Sequence, residues 1–500
     1  MVESTSAPAA TAPVLVYLHA LGSSHRAADE LAAQLGDRFE MLAIDLPGFG
    51  SSAPLGAATV DEMVGFVVDR IAQRAPHRWL LVGHSMGGKI ATIVASRVLD
   101  GSAPLFGLAG VVLLAASPPT PEPMDEERRE QMLAWTTGDA IAHDDARTFI
   151  DANVGSPLPA RSDALAIADV TSSSPEAWAA WLERGSLEDW SEVVGTLDAP
   201  ALIVSGGDDG DLGPEAQREL NGAVYPHARF EVVDGAGHLL PWERPAEVAG
   251  LIAEFADTRA FAGPEVPAPT AALIASDRTS RRTRGILARR ALADDPGYRP
   301  TTLMPGALRT LRAVADRVVP QQHPAIDLAA RLDAQLARGD GDGWRNAELP
   351  ADPEAYALAL EALAGFAELD TEQQDARLRD LADSALDPAG ARLSPAQLAS
   401  WFEDARADLA RLWLAHPASL ARVGFDGFAT GGDGPRKTGF RILTAGRREP
   451  WEPAATTTRV DLPTPATHPS TSAPTGPAAH LTPPAPTTSS ARPTPTRSTP

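Results

Sequence analysis

Residues 80–91 read Leu-Leu-Val-Gly-His-Ser-Met-Gly-Gly-Lys-Ile-Ala and contain the pattern G-x-S-x-G as Gly83-His84-Ser85-Met86-Gly87. Its surroundings give the pattern meaning. Trp79–Val82 is a short apolar run of the kind that forms a buried parallel strand, and 89–98 reads as a helix. A strand, a sharp turn with serine at its apex and a helix together make a nucleophile elbow. Glycines on both sides relieve the crowding of such a turn, whose serine is pushed into a rarely used backbone conformation.

Working outward, the chain supplies partners for Ser85. Residues 201–209 read Ala-Leu-Ile-Val-Ser-Gly-Gly-Asp-Asp, a strand that ends in an acidic turn. Residues 230–238 read Phe-Glu-Val-Val-Asp-Gly-Ala-Gly-His, a strand that ends in a glycine-rich loop carrying His238. A serine hydroxyl is a poor nucleophile until an imidazole takes its proton. The imidazole in turn needs a carboxylate to hold its tautomer and stabilise its charged form. Ser85, Asp209 and His238 are therefore the candidate catalytic residues, with Asp208 as the alternative acid. All would sit at the carboxyl ends of parallel strands, where open α/β sheets place their sites.

Two upstream segments extend the pattern. Val14–Leu18 reads as a strand followed by His19-Ala20-Leu21-Gly22, and Met41–Asp45 as another followed by Leu46-Pro47-Gly48-Phe49-Gly50-Ser51-Ser52. Together with the Ser85 elbow, Gly206-x-x-Asp209 and Gly235-x-Gly237-His238, these motifs resemble the α/β-hydrolase superfamily over residues 13–257. The resemblance implies a mostly parallel sheet, Ser85 as nucleophile, His238 as base and Asp209 as acid, in the superfamily's order along the chain. It further implies an oxyanion hole from the backbone N–H groups of Met86 and Leu21. Counting from Gly206, the superfamily's spacing favours Asp209 over Asp208. Ala20, next to Leu21, stands where the superfamily commonly has glycine. His19 and His84 are usually structural in such proteins. A serine at the elbow argues against haloalkane dehalogenase or epoxide hydrolase chemistry, and the expected reaction is cleavage of a carboxylic ester or lactone through an acyl-enzyme. Thioesterase, perhydrolase and C–C hydrolase reactions use the same triad and stay open.

Composition bounds the rest. The chain has 500 residues, a net charge of −23 at pH 7 and no cysteine. An acidic balance lacks the basic footprint that nucleic-acid binding requires, and without cysteine there is no disulfide or thiolate chemistry. His143 beside Asp144-Asp145 lacks a ligand-like spacing and reads as a solvated helix face. The reaction needs no metal and no organic cofactor. Met1–Ala12 shows no export signal, and the longest apolar run, Leu105–Ala116, is too short for a membrane span. A soluble, cytoplasmic protein is the expectation.

The chain then divides. Residues 1–257 form the first expected domain, interrupted at 117–196 by a helical, tryptophan-bearing insertion (Trp135, Trp178, Trp181, Trp190) read as a lid. Residues 258–300 read as a linker with a basic patch (Arg278, Arg281, Arg282, Arg284, Arg289, Arg290) on a solvated helix face. Residues 301–452 read as all-α, with helices expected over 324–338, 353–366, 371–386 and 394–415. Residues 453–500, rich in Pro, Thr and Ser, cannot offset their chain entropy by burial and are expected to be disordered.

The all-α region carries its own resemblance. Leu311-x-x-x-Ala315-Asp316-x-x-Val319-Pro320, and His416-Pro417 through Gly424-Phe425-Asp426-Gly427-Phe428, resemble the gluconate 2-dehydrogenase small subunit (subunit 3) family. That resemblance implies a non-catalytic partner of a flavin-dependent GMC-type oxidoreductase. It leaves a second reading of the chain, as an accessory protein in which the hydrolase fold is secondary or a scaffold.

Overall fold

The computed structural model describes residues 12–340, 346–434, 442, 444 and 447–449. The tail expected at 453–500 lies outside the described residues. Six strands form one sheet: β1 (Val14–Leu18), β2 (Glu40–Ile44), β3 (Trp79–His84), β4 (Leu108–Leu114), β5 (Ala201–Gly206) and β6 (Arg229–Val233). Their order is β2-β1-β3-β4-β5-β6, and every pairing is parallel. β1, β3 and β5 are buried along their whole length, whereas the edge strands β2 and β6 are mostly half-buried. That gradient explains why the central strands read as unbroken apolar runs: helices cover both of their faces.

The helices that cover the sheet include α1 (Asp29–Leu35), α2 (Val60–Arg74) and α3 (Met86–Leu99). α2 starts at a capping box in which Thr59 and Glu62 satisfy each other's backbone amides. α3 is buried on nearly every face, Lys89 and Thr92 included, so its burial is not confined to a single stripe. It descends directly from the carboxyl end of β3, which places residue 85 at the top of the sheet.

The segment 117–196 leaves the sheet after β4 and returns at β5. It holds α4 (Glu126–Ala134), α5 (His143–Asn153), α6 (Ala160–Ser172), α7 (Pro175–Ala180) and α8 (Ser191–Val194). Two buried charges fasten it to the sheet layer. Asp169 of α6 accepts hydrogen bonds from Ser24 Oγ and pairs with Arg26. Lys89 of α3, with no exposed surface, gives its ammonium to the carbonyl oxygens of Gly185, Ser186 and Glu188 at 3.1, 3.1 and 2.9 Å.

Residues 258–300 differ from a plain linker. They form helices over Ala268–Ala275 and Arg281–Ala291, and Ile274, Leu287, Ala288 and Leu292 join the same apolar core as the sheet. The basic patch is divided accordingly. Arg281 stays exposed beside Asp100, but Arg284 is buried and donates to the carbonyl oxygens of Gly101, Ala103 and Thr279. A run of arginines masked the few apolar residues that do the packing.

The following helices, Pro305–Val318, Leu328–Arg338, Asp352–Ala362, Thr371–Ala382 and Pro395–Ala415, enclose a separate core around Leu311, Val314, Leu332, Leu381 and Trp401, whereas the short helix Pro417–Arg422 packs Ala418 and Leu420 against the core of the sheet. The helix expected from 324 begins at Leu328, where the Asp327 side chain caps the Ala330 amide. The one expected to reach 386 stops at Ala382, ahead of Ser384 in a left-handed conformation (φ 57°). Among the described residues no helix is long and apolar enough to cross a membrane.

Candidate active site

Ser85 lies between β3 and α3 with φ 49° and ψ −118°, a region that L-residues occupy only under constraint. The constraint is visible on both sides. A Cβ on Gly83 would lie 2.5 Å from the Gly87 carbonyl oxygen, and one on Gly87 would lie 2.4 Å from the Leu18 carbonyl oxygen. The turn is then tied to β4, because Ser85 N donates to Leu114 O and Ser117 N donates to Ser85 O.

Three strand ends deliver three side chains to one place. Ser85 Oγ stands 2.7 Å from His238 Nε2, and His238 Nδ1 stands 2.8 Å from Asp209 Oδ2. Asp209 Oδ1 also accepts from Leu212 N. Asp208, the alternative acid, is exposed and points away; its amide goes to Ala236 O. The structure therefore brings together Ser85, His238 and Asp209, and leaves Asp208 outside. Burial disfavours charging the His238 ring, but the charge of Asp209 and its hydrogen bond, with Glu122 beyond, outweigh that and raise the pKa above the usual value. For Asp209, burial works upward, but His238 and its hydrogen bonds prevail and hold the carboxyl below its usual range.

Of the two residues expected to supply the oxyanion hole, Met86 is the first residue of α3, directly after Ser85, and Leu21 lines the cleft with Ala20 and Ser85. Among the described residues, neither amide donates to a protein acceptor. The loop that carries Leu21 is held by His19, whose Nδ1–H donates to Ala20 O while Nε2 accepts from Leu46 N. Burial lowers the His19 pKa to about 4, so the ring is neutral and this tautomer is the only one that satisfies both bonds. His19 and His84 are thus supports of the loops, and neither touches the cleft. Asp45 fastens the neighbouring turn by accepting from His25 and Ser51.

The cleft between sheet and lid encloses about 510 Å³, including its mouth. Met124, Met132, Phe149 and Trp181 form an apolar wall beside Ser85, and Glu122, Arg128 and Asn153 add polar groups. Of the four lid tryptophans, Trp181 faces the cleft, whereas buried Trp178 wedges between Phe149 and Gly22, fixing the lid on the loop of Leu21. His143 and Asp144 project into solvent.

Sequence reading did not single out Asn153, Glu122, Lys89 or Arg128. Asn153 ends α5 and accepts both His238 N–H and Leu239 N–H on its carbonyl oxygen, at 2.8 and 3.2 Å. Its side chain accepts from Arg128, which also pairs with Asp211. The lid thereby holds the histidine loop. Asn153, Glu122 and Arg128 lie in the lid segment, which carries no motif, and the partners of all four are distant in the chain or are backbone atoms, so no local pattern announces them.

Residues 15–251 match the family model described as Alpha/beta hydrolase family. The chain is 29% identical over 262 residues to the biotin biosynthesis bifunctional protein BioHC of Teredinibacter turnerae, an alignment covering 48% of this chain and 44% of that one. It is 28% identical over 239 residues to a pimeloyl-(acyl-carrier protein) methyl ester esterase of Salmonella newport, covering 45% of this chain and 86% of the relative. It is 29% identical over 251 residues to a 2-succinyl-6-hydroxy-2,4-cyclohexadiene-1-carboxylate synthase of an Enterobacter species, covering 48% and 91%. The chain thus spans less than half the length of the bifunctional relative. With the parallel sheet and the elbow in place, residues 15–251 are a domain of the α/β-hydrolase superfamily.

Proposed function

We propose that the N-terminal domain is a serine hydrolase that cleaves a carboxylic ester or lactone through an acyl-enzyme. The observation that carries this reading is the unbroken line from Ser85 Oγ to His238 Nε2 and from His238 Nδ1 to Asp209. Ser85 Oγ attacks the carbonyl carbon while its proton passes to His238 Nε2. Asp209 holds the ring orientation and stabilises the imidazolium. The oxyanion is received by the amides of Met86, at the positive end of α3, and Leu21. His238 then protonates the departing alkoxide, and a water activated by the same ring releases the acid. Thioester, perhydrolysis and C–C cleavage need the same groups. The ester reading is supported by the methyl ester esterase among the relatives. Labelling of Ser85 by a fluorophosphonate, followed by a panel of esters, lactones and thioesters, tests it; an unlabelled, inactive wild-type enzyme would overturn it.

For residues 301–452 the docking role implied by the second resemblance is the corresponding proposal, with a flavin-dependent GMC-type oxidoreductase as partner. Its support is the motif resemblance, together with a core of its own in which such a surface could be carried. Recovery of a flavoprotein with this region is the expected result, and failure to bind a GMC-type oxidase presented directly counts against it.

A further inference from the structure

Glu122 is a carboxyl group buried in the wall of the cleft and without a cation. It lies just after β4, where the chain enters the lid, and lines the cleft with Ser85 and His238. Its backbone is fixed by the Glu122 N to Ser186 O bond, and its Oε2 accepts from Ser117 Oγ at 2.7 Å. Among the described residues Oε1 has no protein donor, and no ion pair joins the group to a lysine or arginine. The two buried cations nearby are engaged elsewhere: Lys89 on three lid carbonyls, and Arg129 on Leu182 O and Ser186 Oγ. Arg128, the cation lining the cleft, is committed to Asp211 and Asn153.

A buried carboxyl with one free oxygen is costly unless something supplies a donor. Among the described residues no protein group supplies one to Oε1, which is not sealed within the protein but opens to the cleft that Ser85 and His238 line. We propose that Glu122 is a recognition residue that accepts a hydrogen bond from a hydroxyl or amino group on the substrate, so that the preferred substrates are esters or lactones bearing such a donor near the scissile carbonyl. The inference rests on the hydrolase reading above and deepens it. It also sets a direction for charge. With Glu122, Asp209 and Asp211 around the cleft and Arg128 already paired, a free carboxylate on the substrate meets repulsion without a matching cation. Desolvation pushes the Glu122 pKa up, against the hydrogen bond from Ser117 and the charges of Lys89 and His238, which accords with a carboxyl shut away from bulk water.

The test compares methyl butyrate, methyl 3-hydroxybutyrate, 2-hydroxyethyl butyrate and monomethyl succinate on wild type, E122Q and E122M. The wild type is expected to favour at least one hydroxy-ester over methyl butyrate by about tenfold in kcat/KM, and to disfavour the succinate. E122M is expected to lower kcat/KM for that hydroxy-ester about tenfold more than for methyl butyrate, chiefly through KM, and E122Q to recover part of the loss. Fluorophosphonate labelling of Ser85 in each variant verifies an assembled triad. Equal loss on all esters with labelling intact, or no preference for a hydroxyl in the wild type, overturns the Glu122 assignment. Absence of labelling in the wild type overturns the triad reading, and the Glu122 assignment with it.

Discussion

His84 and His238 face each other with ring centroids 5.6 Å apart, and His84 Nε2 donates to the carbonyl oxygen of His238 at 2.8 Å. Burial lowers the His84 pKa to about 3, so the ring is neutral; its proton is on Nε2, and Nδ1 is buried without a partner. Because His84 is the residue before Ser85, this bond sets the distance between the nucleophile turn and the histidine loop. His84→Ala is expected to lower kcat/KM by about 10- to 100-fold, the scale of a small displacement of reacting groups. His84→Gln, which can still donate, should recover part of that. Steady-state kinetics on the folded variants check both, with fluorophosphonate labelling of a separate sample verifying the triad.

Ser85→Ala is expected to abolish ester hydrolysis by about 10⁴-fold or more without unfolding the chain. Asp209→Asn should cost far more than Asp208→Asn, since only Asp209 reaches the imidazole. Equal losses in the two asparagine variants would remove Asp209 from its role.

The pH profile follows from the sign at His238. The ring must be neutral to accept the Ser85 proton, so kcat/KM should rise with pH through the His238 pKa, which the site holds above the usual histidine value. The negative charge of Asp209 favours the imidazolium and so raises that pKa. Removing it in Asp209→Asn should move the residual activity's acid limb to lower pH. A limb that moves upward contradicts the assignment.

Lys89 offers a stability test. Burial lowers its pKa to about 8 from an unfolded value of 10.5. Between those limits the unfolded chain binds a proton that the folded chain does not, so folding stability gains with rising pH across this window. Lys89→Met lacks the group. The wild type should therefore gain stability relative to Lys89→Met as pH rises from about 8 to 10.5, as read by denaturant midpoints.

A chain ended at residue 260 retains Ser85, Asp209 and His238 but loses the cover formed by Ile274, Leu287 and Arg284. It should melt lower than a chain ended at residue 300, with a smaller change in ester hydrolysis than in melting temperature. Arg284→Ala in the full chain should be destabilising by about 1–3 kcal/mol, because it strands buried carbonyl oxygens.

Much of the site was legible because its parts are local. The elbow is written in consecutive residues, since a strained turn accepts only glycine where backbones approach within 2.5 Å, and the acid and the histidine each follow a strand at a short, readable distance. The alternation of strands and helices was legible for the same reason: burial on both faces leaves an unbroken apolar run. The choice of Asp209 over Asp208 needed more, since neighbouring side chains point in different directions and only the β5 and β6 ends, brought together, show which one meets His238. The packing of 268–291, the grip of Asn153 on the histidine loop and the isolation of Glu122 needed the whole fold. Each depends on groups far apart in the chain, and several depend on backbone atoms that every residue shares. The sequence by itself determined the sheet, the elbow and the order of the candidate triad; the tertiary structure alone decided which carboxylate reaches the ring and which is left facing the cleft, because burial and distance are properties of the packed chain.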